Sequence, residues 1–398
     1  MAPQLDKRAC VVQAVKLLLA AFIGALILWA TAATPYGPGP RLPAFPSLRV
    51  PSSPRFRSSS ELNRTFLQPK VEDAEERDTQ EHWDSYIDEE RFKSYNPFEH
   101  TADDHCSLKP GDSKPGQKIP KIIHFIFGLQ EHFGGKPFNF VHYTSVMSAQ
   151  FRVQPEAMYV HHIHEPEGDW WGKCKHLLTL VKARKVERLY GHEFQHAAHQ
   201  ADILRLEVLY AYGGIYMDID TLVLQPVDAL LHHDLVLGYE GGEWYGIGNS
   251  VMLAAPGSKF IERWLMTYAA FNNNEWSTHS VVIPRRLAIE HPTEVCIMPP
   301  HAFHYPLTWT NPGKDFMFTE LSEDEEKHVL VDNEALNGKL YKSLYPGQYA
   351  LHTAETGSWD SHLYQYNLEF IQDTHTRMAV LMRNIFADLP SKGEILAA

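Results

Sequence analysis

The hydrophobic pattern divides the chain near residue 119. Ahead of that point one run dominates: residues 11–33, VVQAVKLLLAAFIGALILWATAA, with Lys16 as the sole charge. About 20 helical residues rising 1.5 Å each span the hydrocarbon of a bilayer, so the run predicts a transmembrane signal anchor. Lys7 and Arg8 precede it and favour a cytoplasmic tail over residues 1–10. Cleavage after Ala30-Thr31-Ala32, as in a secretory signal peptide, is the alternative. Seven prolines follow within residues 35–54, and residues 71–93 are rich in acids. Together they predict an extended, solvated stem over residues 34–115.

From residue 119 the period switches repeatedly between that of a strand and that of a helix. Residues 121–127 (KIIHFIF) end at Gly128 and predict a first strand, and residues 157–163 a second. Residues 196–212 predict a helix whose broad apolar face carries Ile203, Leu204, Leu206, Val208 and Leu209, stopped by Gly213-Gly214. Residues 215–218 and 221–224 are extended and end at Pro226. Further strands are expected at 234–239 and 250–254, and helices at 259–271 and 362–386. Alternation of this kind predicts an α/β fold, a sheet with helices on both faces, in one domain over residues 116–390.

Composition sharpens this picture in three ways. Of the 398 residues, 36 are Lys or Arg and 49 Asp or Glu, a formal charge of −13 that disfavours nucleic acid as a partner. Residues 71–93 carry a net −7 and residues 323–334 a net −5, so the acidity belongs to the stem and a surface loop, and the remainder is near neutral. The 23 histidines make histidine motifs cheap. Cys106, Cys174 and Cys296 allow at most one disulfide beyond the anchor, with three possible pairings. Asn63-Arg64-Thr65 is a glycosylation sequon in the stem.

The chemistry concentrates in residues 199–226, HQADILRLEVLYAYGGIYMDIDTLVLQP. Asp218 and Asp220 are two apart, so on a strand both carboxylates face one side. Two such carboxylates are hard ligands for Mg²⁺ or Mn²⁺, and such an ion retains positions for substrate phosphate oxygens. Asp202 and Arg205, three apart on a helix, share a face near the glycine turn. They offer a carboxylate for sugar hydroxyls and a guanidinium for phosphate.

The pattern Ala201-Asp202-x-x-Arg205, then Gly213-Gly214-x-Tyr216-x-Asp218-x-Asp220, resembles glycosyltransferase family 32, as does the opening Ile119-Pro120-Lys121-Ile122-Ile123-His124. The resemblance implies a GT-A fold, a Rossmann-like mixed sheet flanked by helices. It implies Mn²⁺ (or Mg²⁺) as cofactor and a nucleotide-sugar donor. It further implies transfer of a hexose to a glycan or glycolipid with retention of configuration; the anchor, stem and C-terminal domain predict a type II membrane protein that does so in the Golgi lumen. Mannose from GDP-mannose is the favoured donor, with UDP-galactose or UDP-GlcNAc the alternative. Carried over by position, Asp220 and Asp218 ligate the metal, Asp218 also contacting the donor. Asp202 and Arg205 hold the donor, and Arg205 steadies the leaving diphosphate. His352 completes the metal site, and Asn249 sits near the donor. His352 is followed by Thr353-Ala354-Glu355-Thr356 before Gly357-Ser358-Trp359, a longer spacing than the family's. Trp244 and Trp359 are either sugar-stacking platforms or core residues.

Two other motifs compete. His192-Glu193-Phe194-Gln195-His196 satisfies the HExxH pattern of zinc metalloproteases, which needs a helix there to bring both imidazoles to one side. Asp218-Ile219-Asp220-Thr221 also fits the opening motif of haloacid-dehalogenase phosphatases, although no second carboxylate motif follows. A non-catalytic sugar-binding homologue is the remaining alternative.

Overall fold

A computed structural model describes residues 95–99, 104–240 and 246–389. The anchor at 11–33, most of the stem, the sequon at Asn63 and Trp244 lie outside the described residues. Among those described, no helix is long and apolar enough to cross a membrane.

The strands in chain order are β1 (Ile122–Ile126), β2 (Ala157–His162), β3 (Thr179–Lys182), β4 (Arg188–Leu189), β5 (His192–Glu193), β6 (Gly214–Met217), β7 (Thr221–Val223), β8 (Leu235–Glu240), β9 (Gly246–Ala254), β10 (Cys296–Met298), β11 (Val331–Glu334), β12 (Leu340–Ser343) and β13 (Ala350–His352). Seven of them form one sheet in the order β10-β8-β9-β6-β1-β2-β3. The sheet is mixed: β9 runs antiparallel to both β6 and β8, and the other pairings are parallel. The predicted α/β sheet is therefore present.

The α-helices are α1 (Phe140–Ser148), α2 (Asp169–Cys174), α3 (Ala197–Tyr212), α4 (Lys259–Thr267), α5 (Ile283–Glu290), α6 (Asn311–Phe318), α7 (Glu323–Lys327), α8 (Glu355–Ser358), α9 (Phe370–Asp373) and α10 (Arg377–Ala387). Two apolar clusters cover the two faces of the sheet, and strand alternation assigns side chains to them. Ile123, Phe125, Ile215, Met217, Val251 and Leu253 join one cluster with side chains of α1 and α10. Ile126, Tyr216, Met252 and Ala254 join the other with side chains of α3, α4 and α5.

The expected helix at 362–386 is broken. A short 3₁₀ turn, α9 and α10 share that stretch, and the Thr376 side chain caps α10 by accepting from Ala379 N. The acidic segment 323–334 is α7 followed by β11 rather than a loop. The packed unit also begins earlier than residue 116. Cys106 is disulfide-bonded to Cys296 on β10, Tyr95 packs edge-on against Tyr305, and Cys174 is a buried free thiol.

Gly213 and Gly214 end α3 and start β6, and both need to be glycine. Their φ values are +65° and +107°, and a Cβ would meet Pro256 at 2.7 Å in one case and the Ile122 carbonyl at 2.8 Å in the other. The double glycine thus lets α3 turn directly into the central strand, which delivers Asp218 just past that strand's C-terminal end.

Candidate functional site

Asp218 and Asp220 do not lie on a strand, contrary to the sequence reading. They occupy the tight connection between β6 and β7, closed by Thr221 N donating to the Asp218 carbonyl at 3.0 Å. The two carboxylates still converge because a third element meets them there. β13 pairs antiparallel with β7, and the register sets His352 opposite Thr221. His352 Nε2 lies 3.3 Å from Asp220 Oδ1 and 3.6 Å from Asp218 Oδ2. The three side chains offer ligand atoms all within 4.8 Å of one another. Two carboxylate oxygens and an imidazole nitrogen suit a hard or borderline divalent cation, so the donor set fits the expected metal.

Asp220 is the more buried carboxylate. Its Oδ2 accepts from Glu355 N at 2.7 Å and from the Thr353 hydroxyl at 3.2 Å, which leaves Oδ1 aimed at His352. Burial opposes its charge, but His352 and the Glu355 amide hold it well below the usual carboxylate range. Burial likewise disfavours a charged His352, yet Asp220 and Asp218 outweigh it and raise the imidazole to about 9. The segment 353–356, which lengthens the spacing after His352, turns out to seat Asp220. Ala354 adopts a left-handed φ of 45°, turning the Glu355 amide toward that carboxylate. The Glu355 carboxylate in turn accepts from His142 Nε2 at 2.8 Å and from Asn139, the N-cap of α1. Asn139, His142, Thr353 and Glu355 escaped sequence reasoning, because they carry no motif and α1 is remote in the chain.

Asp202, Arg205 and Asn249 do come together with Asp218. Arg205 Nη1 lies 3.2 Å from Asp218 Oδ1 and donates to the Asn249 carbonyl at 2.8 Å, while Nη2 lies 3.5 Å from Asp202 Oδ1. Asn249 Nδ2 donates to Asp202 at 2.7 Å, the Tyr216 hydroxyl to Asp218 at 2.6 Å, and the Arg205 guanidinium lies over the Tyr216 ring. Arg205 and Asp202 are both below 10 % exposed, which corrects one expectation. The guanidinium does not project as a free phosphate ligand; its donors are engaged and it orients Asp218. Burial raises the Asp202 carboxyl despite Arg205 and Asn249. Asp218 therefore bridges two settings, one oxygen held by Arg205 and Tyr216, the other facing His352.

The competing protease motif fails on geometry. His192 and Glu193 form β5, paired with β4, and α3 begins only at Ala197, so no helix brings His192 and His196 to one side. Trp359 is partly buried and packs against the apolar core.

Comparison with known proteins agrees with this geometry. The family model "Glycosyltransferase sugar-binding region containing DXD motif" matches residues 151–237, which hold Asp202, Arg205, Asp218 and Asp220. Over those residues the chain matches a glycosyltransferase region of the DXD type. It is 38 % identical over 205 residues to "Glucan organizing enzyme 1" of Cryptococcus neoformans, covering 49 % of this chain and 56 % of that protein. It is 39 % identical over 62 residues to "Inositol phosphoceramide mannosyltransferase 3" of Schizosaccharomyces pombe, covering 16 % of this chain and 17 % of that protein. The match thus spans little more than half of the first relative and about a sixth of the second. Among solved structures, the apo-form glycosyltransferase GlyE of Streptococcus pneumoniae aligns over 70 % of this chain and 62 % of its own, with a TM-score of 0.39 and 12 % identity. DXD-type glycosyltransferases generally use a divalent metal, and the Asp218, Asp220 and His352 group is where this chain could hold one.

Proposed function

We propose that this chain is a GT-A-type, retaining glycosyltransferase. It would move a hexose, mannose from GDP-mannose in first place, to a glycan or glycolipid acceptor in the Golgi lumen, held to the membrane by residues 11–33. One observation carries the reading: the register of β13 on β7 brings His352 against both carboxylates of the Asp-x-Asp turn. The mannosyltransferase relative supports mannose over the UDP-linked alternatives.

Asp218, Asp220 and His352 would hold Mn²⁺. When bound, the ion neutralises charge on the departing diphosphate. Arg205, Tyr216 and Asn249 fix the Asp218 carboxylate, so that its orientation is set before the donor arrives. Asp202 sits beside them and accepts from the Asn249 amide, which steadies the same cluster. In the transfer, the acceptor hydroxyl oxygen bonds to the anomeric carbon as the bond from that carbon to the phosphate oxygen breaks. The hydroxyl proton passes to the departing diphosphate. Retention by this route requires acceptor and leaving group on the same face of the sugar.

The test is hydrolysis of GDP-mannose, UDP-galactose and UDP-GlcNAc by the purified chain, with Mn²⁺ or with EDTA. Mn²⁺-dependent release of mannose from GDP-mannose, stopped by EDTA, is expected. Intact donors throughout would overturn the enzymatic reading and leave a non-catalytic sugar-binding protein. Preference for a UDP-sugar would overturn only the donor assignment.

A further inference from the structure

The two residues that cap α1 each have a second task. Asn139 Oδ1 accepts from Val141 N at 2.9 Å and from His142 N at 3.2 Å, and Asn139 N donates back to His142 Nδ1 at 3.2 Å, which completes a capping box. Because Nδ1 accepts there, the ring proton of His142 sits on Nε2. One donor is then left on each side chain, and both converge on a residue more than 200 positions away. Asn139 Nδ2 donates to Glu355 Oε1, and His142 Nε2 to Glu355 Oε2 at 2.8 Å. All three side chains are buried. The Glu355 carboxylate is thus gripped by both of its oxygens at the N-terminus of α1, where the helix dipole favours a negative charge.

What this grip fixes is backbone. Only Thr353 and Ala354 separate Glu355 from His352. Thr353 N donates to the Asp220 carbonyl at 3.1 Å, its hydroxyl is shared between that carbonyl and Oδ2, and Glu355 N donates to Oδ2 at 2.7 Å. Between them Ala354 is left-handed, with φ 45° and ψ 56°. A residue with a Cβ holds that conformation only where its neighbours impose it. Released from α1, Ala354 would relax toward the right-handed or extended region and turn the Glu355 amide away from Asp220. Gripped, it keeps Asp220 Oδ2 occupied and Oδ1 aimed at His352.

We infer that Asn139, His142 and Glu355 are positioning residues for the metal, so that a helix supplying no ligand sets the affinity for the ion. That role rests on the proposed Mn²⁺ site at Asp218, Asp220 and His352. Glu355 is a strut and not a fourth ligand, because both of its oxygens are committed to α1. Partners that orient metal ligands typically account for a 10–100-fold difference in affinity.

Titration of the full chain with Mn²⁺, read by the EPR signal of the free ion, measures binding without donor or turnover. His142→Ala and Glu355→Ala should each raise the Kd for Mn²⁺ about tenfold or more. His142→Gln carries an acceptor and a donor in place of the two ring nitrogens and should stay within about threefold of wild type. Thr376→Ala removes the cap of α10, which takes no part in this network, and should lower Tm while leaving Kd within about twofold. It separates lost positioning from lost stability. Should the alanine variants not fold, Glu355→Gln takes their place: it keeps the shape of the side chain, gives up one of the two accepted bonds, and should raise Kd severalfold. The assignment is overturned if wild type binds no Mn²⁺, or if Glu355→Ala and His142→Ala, or Glu355→Gln in their stead, bind it as tightly as wild type. It is equally overturned if His142→Gln is as weak as His142→Ala, or if Thr376→Ala weakens binding as much as they do. Affinity lost in the alanine variants and kept in His142→Gln, with no nucleotide sugar hydrolysed by wild type, would sink the proposed function and leave this role standing. Mn²⁺-dependent hydrolysis by wild type, with affinity unchanged in the alanine variants, would do the reverse.

Discussion

His352 and His124 stand at opposite ends of β6 and show how little residue type decides. His124 is buried on β1, its Nε2 3.1 Å from the Gly213 carbonyl where β6 begins, and its Nδ1 3.1 Å from His161 Nε2 on β2. Burial first, and the neighbouring His161 second, lower it to about 3, so it stays neutral. His352 faces Asp218 and Asp220 where β6 ends, and the carboxylates lift it to about 9. One end is a neutral hydrogen-bonded pair that locks the glycine turn; the other gathers charge for a ligand. In a chain of 23 histidines, neither role shows in the residue itself. What separates them is the supply of carboxylates by the β6–β7 turn.

The comparison breaks most sharply at the charged end. Asp220→Asn keeps an oxygen for the Glu355 amide and the Thr353 hydroxyl but removes the anionic ligand opposite His352. Metal-dependent donor hydrolysis should fall about a thousandfold, roughly 4 kcal/mol of barrier, while the thermal midpoint moves by only a few degrees. Retention of more than a tenth of the activity would reject the metal assignment.

Arg205→Ala strikes the same end through stability. It leaves Asp202 and Asp218 without their shared cation, one of them deeply buried. Removing one partner of a buried charge cluster costs about 3–5 kcal/mol, a drop in Tm of roughly 6 °C for a chain of this size. Differential scanning calorimetry reads it directly. An unchanged Tm, with only donor affinity lost, would restore Arg205 to the free phosphate-binding role expected from its spacing.

The fold and half of the site were legible in the sequence. Period changes located β1, β2, α3, β6 and β8, because both faces of the sheet demand apolar side chains at each second position. The stretch from Asp202 to Asp220 was legible because the residues concerned are local to one helix–turn–strand unit. Two things were not. Asp218 and Asp220 were expected on a strand, yet the chain turns there; the two-residue spacing fits either geometry. The Thr353–Glu355 insertion weakened the case for His352 on spacing, whereas in space it is what binds Asp220. Contacts made by a backbone amide leave no trace in residue type. Nor does a helix cap such as Asn139, reaching Glu355 across 216 positions, declare its partner.

The neutral end makes a pH prediction. The folded pKa values of His124 and His161, about 3 and about 4, lie below the ordinary 6.5. Below 6.5 the unfolded chain therefore binds protons that the native state refuses. Stability from these groups is present in full above pH 6.5 and is lost as pH falls toward 4 and 3. Between pH 6.5 and 5 each contributes a loss of about 2 kcal/mol. Urea midpoints at pH 7.5 and pH 5 measure the slope. His124→Gln, which can still donate to the Gly213 carbonyl, should reduce it by about half. A slope unaltered in that variant would place the acid sensitivity elsewhere.

The smallest effect is expected where a histidine motif has no carboxylate chemistry behind it. Glu193 lies on β5, largely exposed, and pairs with Arg188 at 3.0 Å across the two-stranded ladder. An exposed pair of this kind contributes about 0–1 kcal/mol, so Glu193→Gln should leave Tm within about 2 °C and donor hydrolysis within about twofold. The zinc-protease reading demands the reverse, because there Glu193 is the general base and its amide would be inert. Assaying the variant for donor hydrolysis and for casein cleavage separates them: the first activity should persist, and the second should be absent from both proteins. Zinc-dependent casein cleavage by wild type, lost in Glu193→Gln, would mean that β4 and β5 rearrange into a helix on binding metal. The contrast between His352 and the remaining histidines would then have to be redrawn around two metal centres instead of one.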